Sequence, residues 1–172
     1  MASDSATYRE YVTGHLDRLR RTAYLLCGDW HTADDVVSVT LAKLYRHWGR
    51  VSGLEHPDAY VRKMLVRAWL SERRRPWARN EQVRWDVPDR EVPAGTGPVV
   101  DRVALNLLLK SLAPKRRAVL VLRYFCDLSV DETADAPGCS TSTVNSQTAR
   151  ALETLRQHMA ELSLSKEDLL WI

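Results

Sequence analysis

Between Pro76 and Pro98 the chain carries four prolines, two glycines and two tryptophans, with no apolar stripe at helical spacing. Proline lacks the backbone donor a helix interior needs and clashes with the preceding turn, so no long helix crosses this stretch. On either side of it, apolar residues return every three or four positions, the spacing of an amphipathic helix. The chain therefore reads as all-α: two small helical domains over 1–75 and 99–160, a flexible linker over 76–98, and a tail over 161–172. A linker of that length is long for a tie inside one compact unit.

In the first set, Tyr8, Tyr11, Val12, His15, Leu16, Leu19, Ala23 and Leu26 form one helical stripe that Gly28 ends. A second helix is expected from Thr32, with Asp35 three residues on, burying Ala33, Val37, Leu41, Leu44 and Trp48 before Gly49 and Gly53 open a loop. Pro57 suits the first position of a third helix, since its missing N–H is unpaired there anyway. That helix carries Val61, Met64, Leu65 and Ala68 inward and runs to the arginines at 73–75. In the second set, Val100, Val103, Ala104, Leu107 and Leu108 begin a helix, followed by Pro114 and the apolar run AVLVLRYF.

From Ser129 to Arg150 the sequence SVDETADAPGCSTSTVNSQTAR has the layout of a helix-turn-helix. Ser129 and Glu132 form a capping box, in which each side chain takes up a backbone N–H of the other at a helix start. Ala134 is small enough for a close crossing, and Gly138, four residues on, can adopt the left-handed conformation that turns the chain. Ser140 caps the next helix, whose Val144, Thr148, Ala151 and Leu155 line one face. The opposite face carries Thr141, Ser142, Asn145, Ser146 and Arg150. Short hydroxyl and amide groups at such an N-terminus reach base edges, and an arginine further along reaches a phosphate. The same pattern also suits a plain helical hairpin with a wet outer face.

Charge separates these readings further. The net charge of +3 is uneven: residues 1–75 hold 13 Lys and Arg against 9 Asp and Glu, whereas residues 99–172 balance at 9 and 9. Between Arg62 and Arg79, seven basic residues face only Glu72. Arg62, Trp69 and Arg73 share a helical stripe beside Lys63, Arg67 and Arg74. That mixture suits single-stranded nucleic acid, with cations along the backbone and an aromatic ring stacked on an unpaired base. The other reading packs Trp69 into the core and leaves the arginines at a solvated helix end.

Several classes fall away. The chain has no apolar run of about 18 residues, and MASDSATYRE has neither a basic start nor an apolar core, so a cytoplasmic protein with no membrane partner is expected. Cys27, Cys126 and Cys139 are odd in number and lack C-x-x-C spacing, which suits half-buried thiols rather than disulfides or zinc ligands. No enzyme, metal or cofactor is expected. Gly95-Thr96-Gly97 lacks the rest of a phosphate loop, and His15, His31, His47, His56 and His158 show no metal spacing. Asp34/Asp35 and Asp131/Glu132 sit in first helical turns, where the helix dipole accounts for them.

Three segments in order carry a family resemblance: DDVVSVTLAKLYRHW, HPDAYVRKMLVRAWLSERRR and, after the linker, LAPKRRAVLVLRYFCDLSVDETADAPGCSTSTVNSQTARALETLR. From Tyr8 to Gln157 the chain resembles the extracytoplasmic-function sigma factors of bacterial RNA polymerase, of actinobacterial type. The resemblance implies that residues 1–75 are sigma region 2, with Asp34, Asp35, Ser38 and Val39 on the clamp of the polymerase β′ subunit. The loop Gly49–His56 and the third helix, with Arg62, Lys63, Arg67, Trp69, Arg73 and Arg74, would hold the −10 element as it opens. Residues 99–160 would be region 4, reading the −35 element through Thr141, Ser142, Asn145, Ser146 and Arg150. Lys115, Arg116 and Arg117 would contact phosphates there. Initiation at promoter DNA would then proceed without ATP, base contacts offsetting an unstacking cost of a few kcal/mol.

Relatives commonly read Asp-Leu-Val-Gln-Glu where this chain has Asp35-Val36-Val37-Ser38-Val39, and often Leu and Lys where it has Pro137 and Asn145. Asn145 is better suited to adenine than a lysine is. Two alternatives stand beside this reading: a stand-alone helix-turn-helix regulator, and a degenerate sigma-like protein that binds polymerase without initiating. The tail SLSKEDLLWI lies beyond the resemblance. Ser165 or Asp168 would cap a short helix packing Leu169, Leu170, Trp171 and Ile172 on region 4, or the tail meets an anti-sigma factor.

Overall fold

The computed structural model describes residues 2–74 and 99–161, and all regular structure in them is helical. Arg75, the expected linker over 76–98 and the tail beyond Glu161 lie outside the described residues. Helix α1 spans Ala2–Cys27 and ends where glycine permits it. Gly28 sits at φ +86° and donates its N–H to Tyr24 O at 2.7 Å.

Helix α2 (Trp30–Val51) begins two residues before the expected Thr32. Asp29 is the cap: its carboxylate accepts the Thr32 N–H at 2.7 Å, so Thr32 is the residue capped rather than the cap. The helix also runs through Gly49, because Trp48 and Val51 are buried and hold its last turn down. Its inner face includes Val36 and Thr40 beside the expected Ala33, Val37, Leu44 and Trp48, while Leu41 is half-buried. Helix α3 (Pro57–Glu72) starts at Pro57 as expected and buries Val61, Leu65, Val66, Ala68, Trp69 and Leu70. These three helices pack on one another as an N-terminal unit.

The C-terminal unit comprises α4 (Val99–Ser111), α5 (Pro114–Leu120), α6 (Val130–Asp135) and α7 (Thr141–Glu161). Leu108, Leu109 and Leu112 take the core of this unit, and Leu107 is 54% exposed, contrary to expectation. Adjacent helical positions point about 100° apart, so the inward arc that takes Leu108 and Leu109 leaves Leu107 on its outer side. The apolar run 118–125 does not stay α-helical either. Val121–Phe125 is a π-helical stretch, closed by Cys126 N–H on Val121 O at 3.1 Å. It leaves Val121 and Leu122 buried and Tyr124 exposed.

The two units are one packed body. Leu26 from α1 and Trp69 and Leu70 from α3 share a single hydrophobic core with Leu108, Leu109, Leu120 and Leu122 of the second unit. A smaller cluster, Val119, Ala134 and Val144, closes the helix-turn-helix. No helix among the described residues is long and apolar enough to cross a membrane.

Candidate nucleic-acid interface

The helix-turn-helix forms from the local chemistry of its sequence. Ser129 Oγ accepts the Glu132 N–H at 3.2 Å, and Glu132 returns the bond by accepting the Ser129 N–H at 2.8 Å. Those bonds hold the Glu132 carboxyl below its ordinary range. Helix α6 is short, ending before Pro137, and Ala134 O accepts from both Gly138 and Cys139 N–H. Gly138 takes φ +72°, the left-handed conformation that reverses the chain. Ser140 Oγ accepts the Thr143 N–H at 3.2 Å and lies 2.9 Å from Ser142 Oγ, so the entry to α7 is fixed by its own hydroxyls.

Val144, Ala151 and Leu155 point inward along α7, with Thr148 half-buried. Thr141, Ser142, Asn145, Ser146 and Arg150 are all exposed. Ser146 Oγ donates to Thr143 O at 3.0 Å, so its hydroxyl is partly used by its own helix. The amide of Asn145 and the guanidinium of Arg150 stand on the outer face, five positions apart and so about a turn and a half along the axis.

The other basic groups have mixed fates. Lys115 is exposed and Arg116 half-buried, but Arg117 is 4% exposed and belongs to the core. Its Nε donates to Leu25 O at 2.7 Å, and burial lowers its pKa to about 10. The phosphate role expected for Arg117 is thus overturned in this arrangement. The Trp69 stripe is corrected likewise: the ring is 1% exposed and packs in the core, the second of the two readings of its position. Arg73 alone of its stripe stays near it on the outside, its guanidinium 6.0 Å from the ring centroid. Arg62 is half-buried, and its Nε has no hydrogen-bond partner among the described residues.

Lys63 and Arg67 face the second unit. Lys63 Nζ lies 2.6 Å from Asp135 Oδ2, and Arg67 donates to Ala136 O at 3.0 Å and to Asp135 O at 3.2 Å. Nothing in the spacing of Asp135 marks it as the partner of a residue 72 positions away. The structure does bring other expected cations together. Arg73 and Arg74 of α3 and Lys115 and Arg116 of α5 line one open cleft of about 510 Å³, which Gln147 of α7 also borders.

On α2, Asp35, Ser38 and Val39 are exposed. Asp34 is not free: Arg20 holds its carboxylate through two bonds, at 2.6 and 2.9 Å. Ser38 Oγ donates to Asp34 O at 2.7 Å, within the helix. At the start of α3, Asp58 is gripped by Tyr11, Arg18 and His15 of α1, with Tyr11 Oη at 2.8 Å. Partial burial would raise its pKa, but these donors and cations prevail and lower it. The three thiols are half-buried. Burial, aided by Asp29, pushes Cys27 up to about 12, which keeps it protonated and inert.

A short helix-turn-helix with an exposed polar row on its second helix, packed on a three-helix unit, defines the class as a helical DNA-binding protein. The sequence matches the family descriptions Sigma-70 region 2 over residues 11–79 and Sigma-70, region 4 over residues 102–155. It is 35% identical over 160 residues to the RNA polymerase sigma-E factor of Streptomyces avermitilis, covering 91% of this chain and 87% of that one. It is 28% identical over 169 residues to the ECF RNA polymerase sigma factor SigL of Mycobacterium tuberculosis, covering 96% of each. Among solved structures, the sigma factor RpoE of Bartonella quintana, in complex with the anti-sigma factor NepR, superposes with a TM-score of 0.72 at 20% identity. That match covers 88% of this chain and 95% of the other. CnrH, in complex with the cytosolic domain of CnrY, gives 0.63 at 19% identity over 91% and 90%. The chain belongs to the sigma-70 family of RNA polymerase sigma factors, in its extracytoplasmic-function branch.

Proposed function

We propose that this sigma factor places core RNA polymerase on promoter DNA through two contacts, with region 4 over residues 99–160 reading the −35 element and region 2 over residues 1–75 opening the −10 element. The observation that carries the reading is the exposed row Thr141, Ser142, Asn145, Ser146 and Arg150 on a recognition helix capped by Ser140, behind a first helix held by the Ser129–Glu132 capping box. Phosphate contacts fall to Lys115 and Arg116, and the −10 strand to Arg62, Lys63, Arg67, Arg73 and Arg74. The clamp of the β′ subunit meets the exposed Asp35, Ser38 and Val39, with Asp34 serving through its grip on Arg20. The protein acts as a binding subunit in the cytoplasm, without a catalytic residue of its own. An anti-sigma partner belongs to the same proposal; the two solved relatives are each recorded with a bound partner.

The test is reconstitution with core polymerase and mapping of RNA 5′ ends. New promoter-dependent start sites are expected, with upstream sequences in common at −35 and −10. A chain that leaves start sites unchanged, or never joins core, removes the proposal; tight duplex binding by a dimer without polymerase would favour a stand-alone regulator instead.

Asn145 and Arg150 should separate specificity from affinity. Asn145→Ala is expected to cost about 1–3 kcal/mol at one base position and relax preference there, whereas Arg150→Ala weakens binding to every sequence and lowers the salt slope by about 1. Binding titrations against single-base operator variants at several salt concentrations check both. Equal losses across all sequences for the two variants would remove base reading from Asn145.

A further inference from the structure

The cleft between the end of α3 and α5 gathers positive charge that nothing nearby neutralises. Arg73 and Arg74 follow α3 directly, Lys115 and Arg116 lie on α5, and all four line one opening of about 510 Å³. No acidic residue lines it. Among the described residues, none of the four forms an ion pair or a side-chain hydrogen bond, and Arg73 rests near the Trp69 ring instead. Lys63 and Arg67 differ, because Asp135 and the carbonyls beside it engage both. A concave site lined by one sign of charge focuses the field and draws in ions of the other sign.

Promoter DNA does not account for this grouping. With Arg73 and Arg74 on the −10 strand and Lys115 and Arg116 on −35 phosphates, the two pairs serve elements about 25 base pairs apart, or roughly 85 Å along a duplex at about 3.4 Å per step. One cleft of this volume cannot meet both. Four cations in so small a space match a ligand whose negative charges are equally close together, as they are in linked phosphates. Arginine forks take phosphate oxygens in pairs, and lysine adds a point charge. The volume is also that of a small-molecule site, for which about 300–1,000 Å³ is usual.

The cleft offers more than charge. Leu70 is buried and Pro114 half-buried, so part of its wall is apolar. Gln147 of α7, half-buried at the border, carries an amide that both donates and accepts. A nucleobase joined to the phosphates can use both, with its ring face on the wall and its edge on the amide.

We propose that this cleft is a binding site for a short chain of linked phosphates, inorganic or carried by a nucleoside, held by Arg73 and Arg74 on one side and Lys115 and Arg116 on the other. The site stands on the cleft itself and does not rest on the promoter reading.

Calorimetric titration of the full chain with inorganic tripolyphosphate and with ATP, without polymerase, DNA or divalent cations, tests this. Saturable binding of one ligand per chain is expected. Arg74→Gln, beside α3, and Lys115→Gln, on α5, should each weaken it several-fold, and roughly tenfold or more together if the two contacts act independently. Both side chains are exposed, so neither substitution opens the core, and an unchanged melting temperature checks that. Arg46→Gln removes the same charge from an exposed position on α2 and should leave the affinity unchanged. Tighter binding of ATP than of tripolyphosphate, with the difference lost in Gln147→Ala, assigns the site to a nucleoside polyphosphate; equal affinities assign it to the inorganic chain.

Absence of saturable binding for both ligands overturns the proposal, and so does an affinity that either cleft variant leaves unmoved. A loss in Arg46→Gln equal to that in Arg74→Gln overturns it too, since it would mark a general effect of net charge. The titration reads the cleft alone and transcription with core reads the promoter function, so either can fail without the other.

Discussion

Trp69→Ala is expected to destabilise the protein by about 3–5 kcal/mol, the range for truncating a large buried aromatic side chain. The ring is 1% exposed and belongs to the core that also contains Leu26, Leu108 and Leu122. Truncation removes the burial of the indole and leaves a void lined by side chains held on different helices. Those helices cannot all move inward without breaking contacts elsewhere, which puts the cost at the upper part of the range. Chemical denaturation measures it. A loss under about 1 kcal/mol, accompanied by a specific defect in promoter opening, would instead return Trp69 to a surface stacking role.

Leu26→Ala should cost about 2–5 kcal/mol and, more tellingly, should lower the stability of both units together. Leu26 is fully buried at the end of α1, a helix of the first unit, and its core continues into α4, α5 and the π-helical stretch of the second. Leu122→Ala, from the second unit, should shift the same transition. Denaturation followed by signals from each unit then gives coincident curves for the unsubstituted protein and for both variants. Two units that melt separately, with each substitution moving only its own transition, would show that the shared core does not couple them.

These expectations depend on facts of unequal visibility in the sequence. The capping box at Ser129 and Glu132, the turn at Gly138, the cap at Ser140 and the start of α3 at Pro57 were all legible, because each is made by residues within four positions of one another. The start of α2 was misplaced by two residues because Thr32 and Asp29 are both good caps, and only the observed bond shows which side chain accepts. The π-helical stretch had no signal: an apolar run reads the same in either helix. The outer face of α7 was legible for the same reason its inner face was, since the period that puts Val144 and Ala151 on one side turns their neighbours Asn145 and Arg150 about 100° away from it.

Sequence alone determined the helical class, the helix-turn-helix and the family, because these rest on local dihedral preferences, short-range caps and residue order. Tertiary structure alone decided which of the basic and aromatic residues of α3 and α5 are available. Trp69 has the same spacing whether it faces water or a neighbour, and it shares its core with Leu108 and Leu122, 39 and 53 positions further on. Arg117 looked like Lys115 and Arg116 until the carbonyl end of α1, 92 residues away, was seen to receive it. Periodicity sets the direction in which a side chain points along its own helix; what lies in that direction is set by the packing of distant segments, and burial free energy belongs to that packing.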